Sequence, residues 1–324
     1  MSHTVLNRVV QDIVLRAATE EDHEALIALE GTAPNAGAEL LQARRNFFAR
    51  TDAYPSSRVL VVEQDGVVVG VECVAMTEVR VAGGHRKTAY SFNTRVLPGL
   101  QRRRLGPGML EAAERWAIDQ GASYLTGLIK TSNAPSMKMV TSLGWQTIGR
   151  FDYLVLDLAR FEPDGTPRAV QFDLYRDPHL MRLRLAAVQS HHFVPVFLER
   201  ELFSPPPDGA YTGSWTAGER TGTAWLSLWD DRPARGLDPF AFRAVKAFDV
   251  MIEGREALDA FTNLAGVLRL HGVRQLLVPL PAESAACAML RPFAEEIVDL
   301  NFVVKCLDDS GPVPPGPLFF DIRH

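Results

Sequence analysis

The stretch from Val96 to Ala113 most restricts what this chain can become: Val-Leu-Pro-Gly-Leu-Gln-Arg-Arg-Arg-Leu-Gly-Pro-Gly-Met-Leu-Glu-Ala-Ala. A strand-like run over residues 87–96 ends at Pro98-Gly99. It passes through three consecutive arginines and enters a helical pattern with Met109, Ala112, Ala113 and Trp116 at helical spacing and Gly121 as its cap. The first turn of a helix leaves backbone N–H groups unpaired and carries partial positive charge. Small residues let a pyrophosphate reach that backbone, and arginines add charge-assisted hydrogen bonds. The bland alternative is an arginine-rich solvated turn before an ordinary helix. A Walker loop is excluded because Gly-Lys-Ser/Thr is absent, and the glycines do not fall where a dinucleotide fingerprint needs them.

The flanking pattern alternates strand and helix. Residues 13–16 read as a strand, and Thr19 with Asp22 as a box-like helix start. Residues 58–63 and 67–76 are β-branched runs joined by Gln64-Asp65-Gly66, a hairpin signal. Residues 124–129 read as a strand, 136–142 as a short helix and 146–156 as a strand. The result is an α/β (α+β) layout, a mixed sheet flanked by helices. Residues 160–168 are polar and turn-rich and mark a domain boundary, dividing the chain into 1–160 and 168–324.

The second half repeats the rhythm faintly. Helices are expected at 180–188, 256–270 and 283–293. Strands are expected at 211–215, 223–229, 248–252, 275–280, 299–307 and 318–322. An internal duplication accounts for this order.

Composition narrows the partners. A net charge of −5 gives no positive field for nucleic acid or an acidic membrane. No apolar run reaches the ~18 residues of a membrane span, and residues 1–12 lack a signal-peptide core. Cys73, Cys287 and Cys306 are scattered and read as small buried hydrophobes. His191-His192 lacks ligand spacing and reads as a loop pair. Trp215, Trp225 and Trp229 read as core or interface. The expectation is a cytoplasmic, metal-free protein.

On these residues the chain resembles the GNAT superfamily of N-acetyltransferases, whose signature is Val-x-Pro-x-x-Gln/Arg-x-x-Gly-x-Gly/Ala. Val96, Pro98, Gln101 and Gly106 fall in register, and Arg104 occupies the first glycine slot. Asn133-Ala134-Pro135-Ser136-Met137-Lys138 with Leu143-Gly144-Trp145 is similar to the family's second motif. The resemblance covers residues 12–157 and implies two tandem GNAT-like domains, the second degenerate. It implies acetyl-CoA or another acyl-CoA as co-substrate. The implied cofactor contacts are Thr94, Arg95, Val96 and Leu97 on a splayed fourth strand, the loop Gln101, Arg102, Arg103, Arg104, Leu105, Gly106, Pro107 and Gly108, and Asn133, Ser136 and Lys138.

The implied reaction is direct attack of a primary amine on the thioester. Glu72 and Glu78 are candidate bases, and their even spacing puts both on one side of a regular strand. The family's usual thiolate acid is a tyrosine whose position is Val140 here; Tyr124, Tyr153 or water are candidate substitutes. Asn93 and Ser91 are candidates for orienting the amine. The expected partner is a small-molecule amine, and the expected assembly a homodimer. A noncatalytic acyl-CoA-binding protein is the rival reading.

Overall fold

The structure is a computed structural model. It describes residues 13–32, 46–52, 54–81, 83–162, 171–173, 186, 189–196, 211–218, 222–229, 244–254, 256–270 and 272–319. The first half runs β1 (Ile13–Ala17), α1 (His23–Gly31), α2 (Ala49–Asp52), β2 (Ser56–Gln64), β3 (Val67–Val81), β4 (Gly84–Val96), α3 (Leu105–Asp119), β5 (Tyr124–Lys130), α4 (Ala134–Ser142) and β6 (Gln146–Asp157). It continues with β7 (Gln171–Asp173), β8 (Val194–Pro195), β9 (Tyr211–Gly218), β10 (Gly222–Trp229), β11 (Ala244–Gly254), α5 (Ala257–Leu270), β12 (Gln275–Pro281), α6 (Ala285–Leu290) and β13 (Ala294–Cys306).

Local chemistry explains most boundaries. The β2–β3 hairpin turns at Asp65 (φ 53) and Gly66 (φ 78), the left-handed pair that matches strand twist. Asp22 reaches back to the Thr19 N–H at 2.8 Å and is gripped by Arg16 at 2.7 Å. That pairing draws the Asp22 carboxyl down to about 2, with the Arg16 hydrogen bond as its main cause. Helix α3 begins at Leu105, four residues before Met109, the first position of the helical pattern read from sequence, because Pro107 is tolerated in a first turn that needs no donor there. Strand β13 begins at Ala294, earlier than the expected residue 299.

The sheet order is β1-β2-β3-β4-β5-β13-β6-β12-β11-β10-β9-β7, with β8 paired to β3. The order reads symmetrically about its centre. The last described strand, β13, lies between β5 and β6, while β6 lies between β13 and β12. Each half thus contributes a strand to the other. The registers match: β5 pairs with β13 from Tyr124↔Cys306 to Lys130↔Leu300, and β12 pairs with β6 from Gln275↔Asp157 to Pro281↔Phe151. Leu300 and Phe151 face each other at the pseudo-twofold.

One face of the sheet carries α3 and α4 over Val74, Met76, Ala89, Leu125 and Val303. The α5–α6 pair covers Leu154, Leu156, Leu276 and Val278. On the other face α1 packs over Val71, Cys73, Tyr90 and Phe92. Cys73 and Cys287 are buried as expected and Cys306 is half-buried. Buried His192 bridges to Leu318, the only part of the expected 318–322 strand within the described residues that forms a bridge. The expected 180–188 helix, apart from residue 186, most of the boundary stretch and the tryptophan side chains at 215, 225 and 229 lie outside the described residues. Among the described residues no helix is long and apolar enough to cross a membrane.

Candidate functional site

Strands β4 and β5 pair in parallel only from Thr88↔Tyr124 to Ser91↔Gly127. Beyond that point they part. The cause lies on the other side of β4. Its ladder with β3 skips from Val71↔Arg95 to Cys73↔Phe92, so Asn93 and Thr94 are opposed by Glu72 alone. This is a β-bulge, which bends its strand and re-aims the backbone. Asn93 takes φ 58 to accommodate it.

The opening is rimmed by polar backbone on both sides. In the second half Pro279 and Pro281 sit on β12 opposite Tyr153 and Phe151. A proline cannot donate to a ladder, so their nitrogens face away from β6. The matched register of β5 therefore aims the Leu128 and Lys130 N–H groups into the first opening. The turns agree: Asn133 N–H donates to Lys130 O at 2.9 Å, and Ser284 N–H to Pro281 O at 2.9 Å.

The loop closing the opening begins with a tight turn. Leu97 N–H donates to Val69 O at 2.9 Å, and Leu100 N–H to Leu97 O at 3.1 Å. Pro98 and Gly99 (φ 89) fill its central positions. Arg102 (φ 67) and Arg104 (φ 63) both lie in the left-handed region. Of five described non-glycine residues there, three fall between 93 and 104, and such strain concentrates where function requires a particular backbone. Arg104 is the N-cap of α3, and its side chain can accept nothing. The amides of Leu105 and Gly106 thus receive no side-chain cap and remain available to an anion beside the exposed Arg102, Arg103 and Arg104. Gly106 serves packing as well: a Cβ there would lie 3.0 Å from Met139 Sδ, whereas one at Gly108 would meet open space.

Glu72 sits under the bulge, fully buried. Ser91 Oγ donates to its Oε1 at 2.6 Å, while Oε2 meets no partner among the described residues. Burial pushes its carboxyl up to about 8, against the pull of the Ser91 and Thr94 hydroxyls. Glu78 is not brought to this place. It is exposed, opposite Lys87, and six strand residues are about 20 Å. Tyr124 also lies away from the opening, at the start of β5, where its hydroxyl donates to Gly311 O at 3.3 Å. Tyr153 is buried in the core on the opposite face from α4.

The guanidinium of Arg95 ties to Glu30 O of α1 at 3.2 Å. Its backbone stays in the ladder opposite Val71 of β3, so alternation turns Thr94 and Val96, not Arg95 and Leu97, toward the opening. Asn133 Oδ1 accepts from Ser136 N–H at 3.2 Å and caps α4, and Lys138 is exposed on that helix. Val140 is buried against α3 and Trp145. The bulge itself was invisible in the sequence; its one local signal was Asn93, a residue type tolerant of the left-handed region. Among the described residues no group of three or more His, Cys, Asp or Glu could hold a metal.

Residues 17–145 match the model of the Acetyltransferase (GNAT) family. No curated protein matches the chain. A solved tandem GNAT protein from the clavulanic acid biosynthesis pathway is 17% identical, with a TM-score of 0.58 over 93% of this chain and 100% of that one. A GCN5-related N-acetyltransferase from Kribbella flavida is 13% identical, with a TM-score of 0.52 over 93% of this chain and 73% of that one. Another from Anabaena variabilis is 9% identical, with a TM-score of 0.53 over 92% and 73%. At these identities the likeness is one of fold: a GNAT-type mixed sheet flanked by helices, shared with a tandem member.

Proposed function

We propose that this chain, a GNAT fold with its family match at residues 17–145, is an acyl-CoA-dependent N-acyltransferase acting on a primary amine. The single observation that carries the reading is the bulge-opened gap between β4 and β5, with Glu72 beneath it, whose Oε2 has no hydrogen bond within 3.5 Å among the described residues. The residues fit an acyl-CoA. The amides of Leu105 and Gly106 with Arg102, Arg103 and Arg104 suit its pyrophosphate. The rim at Thr94 and Val96, which alternate with the β3-facing Arg95 and Leu97, together with the Leu128 and Lys130 N–H groups suits the amides of its pantetheine arm.

Bound there, acyl-CoA supplies an activated thioester. Glu72 takes the proton of the attacking amine, and its raised pKa matches such work near neutral pH. Ser91 fixes the carboxyl's orientation through Oε1, leaving Oε2 for the amine. The bulge backbone at Asn93 and Thr94 is placed to hold the developing oxyanion.

We assign residues 1–160 and 168–324 to two tandem units, the second a degenerate copy, a division supported by the symmetric strand order. The free thiols of Cys73, Cys287 and Cys306 suit a reducing, cytoplasmic setting.

The test is thiol release from acetyl-CoA across a panel of small amines, amino acids and lysine peptides. Amine-dependent release is expected. Tight CoA binding without turnover on any amine would favour the noncatalytic reading, which the apolar Val140 keeps in view.

A further inference from the structure

The α4 position at which the resemblance expects the thiolate's acid is Val140 here, apolar and buried. The pseudo-twofold shows what stands near that place. It relates Phe151 to Leu300 and Asp157 to Cys306, so Asp152 of β6 corresponds to Asn301 of β13. It likewise relates the caps Asn133 and Ser284, and so Ser136 to Cys287 and Val140 to Arg291.

In the second half the strand-donated side chain meets its helix. Asp152 Oδ2 accepts from Cys287 Sγ at 3.3 Å and pairs with the Arg291 guanidinium. In the first half the corresponding helix positions offer Ser136 and Val140. Asn301 is two residues before Val303, which packs under α3 and α4, and opposite Ile129, which packs with them. Alternation puts the Asn301 side chain on that same face, at the open end of β5. Thr131 N–H donates to Asp299 O at 3.0 Å and pins β13 there. Asn301 is half-exposed, and among the described residues its side chain makes no hydrogen bond.

We propose that Asn301, supplied by β13 of the second half, is the residue that receives the leaving thiolate in the first half's site. As the tetrahedral intermediate collapses, the C–S bond breaks and its electron pair goes to sulfur. Asn301 Nδ2–H donates a hydrogen bond to that sulfur, and water then supplies the proton. The active site is therefore composite, and the degenerate half contributes chemistry through one strand. This rests on the acyltransfer reading given above.

The experiment compares the full-length protein with Asn301→Ala and Asn301→Asp, the latter equal in size but lacking the donor. Each is assayed with acetyl-CoA and with the acetyl thioester of a nitrothiophenol, whose thiolate needs no help to leave. Acetyl-CoA turnover is expected to fall on the order of 100-fold in kcat with little change in KM. Turnover of the aryl thioester should stay within about twofold. Equal losses on both donors would reveal a merely structural role and overturn the proposal, as would full acetyl-CoA turnover in either variant. A wild-type protein inert toward every donor would instead overturn the acyltransfer reading, and this one with it.

Discussion

The two halves build the same opening and equip it differently. In each, a parallel pair of strands parts after a few residues, β4 from β5 and β11 from β12. In each, a short capped helix follows, with Asn133 or Ser284 as the cap. Yet β5 presents the Leu128 and Lys130 N–H groups where β12 presents Pro279 and Pro281, which have no hydrogen to donate. The first opening leads into three arginines and a helix start with uncapped amides. The second leads into a connection of two residues between β11 and α5. Duplicated architecture thus comes with unequal equipment: the backbone donors and the loop charge differ between the two openings.

The sharpest way to break this comparison is at the carboxylate. Glu72→Gln is expected to lower kcat on the order of 100-fold or more, with no equivalent position of the second half giving such a loss. The wild-type rate should rise with pH through about 8, and a flat profile there would remove Glu72 as the base. Stability carries its own sign. The folded Glu72 holds its proton up to about 8 whereas the unfolded chain releases it near the ordinary 4.5. Its contribution is therefore full below 4.5 and lost as pH rises toward 8. Denaturant titrations should show Glu72→Gln gaining on wild type by about 1.4 kcal/mol per pH unit across that window.

Phosphate recognition comes next in size. Replacing Arg102, Arg103 and Arg104 together by alanine should raise the KM for acetyl-CoA by about tenfold or more and weaken its salt dependence. Calorimetry on the intact chain should find a single equivalent of CoA. A second equivalent of similar affinity would dissolve the distinction between the openings.

The caps give the smallest and most symmetric contrast. Asn133→Ala and Ser284→Ala each remove an acceptor for a first-turn amide, at 3.2 and 3.1 Å. Each should cost about 1 kcal/mol in chemical unfolding. Only Asn133→Ala should also reduce turnover.

Much of the first half was legible because its signals are local. The hairpin at Asp65-Gly66, the Thr19–Asp22 helix start and the turn at Pro98-Gly99 are each set by residues that touch within a few positions. The equal standing of Glu72 and Glu78 was a different matter. Even spacing puts both on one face of a regular strand, but only the fold buries one beneath a bulge and leaves the other opposite Lys87 in solvent.

The chain's own order of residues determined the arginine-flanked start of α3, the strand that feeds it and the short helix that follows. Tertiary structure alone decided that β13 is inserted between β5 and β6, bringing Asn301 opposite Ile129 at the end of β5. The physical reason is that strand alternation has the same period whichever neighbour is chosen. Residues 294–306 therefore announce a strand but not its partner. Closing the gap between β5 and β6 with buried apolar side chains such as Phe302 and Val303 chooses it.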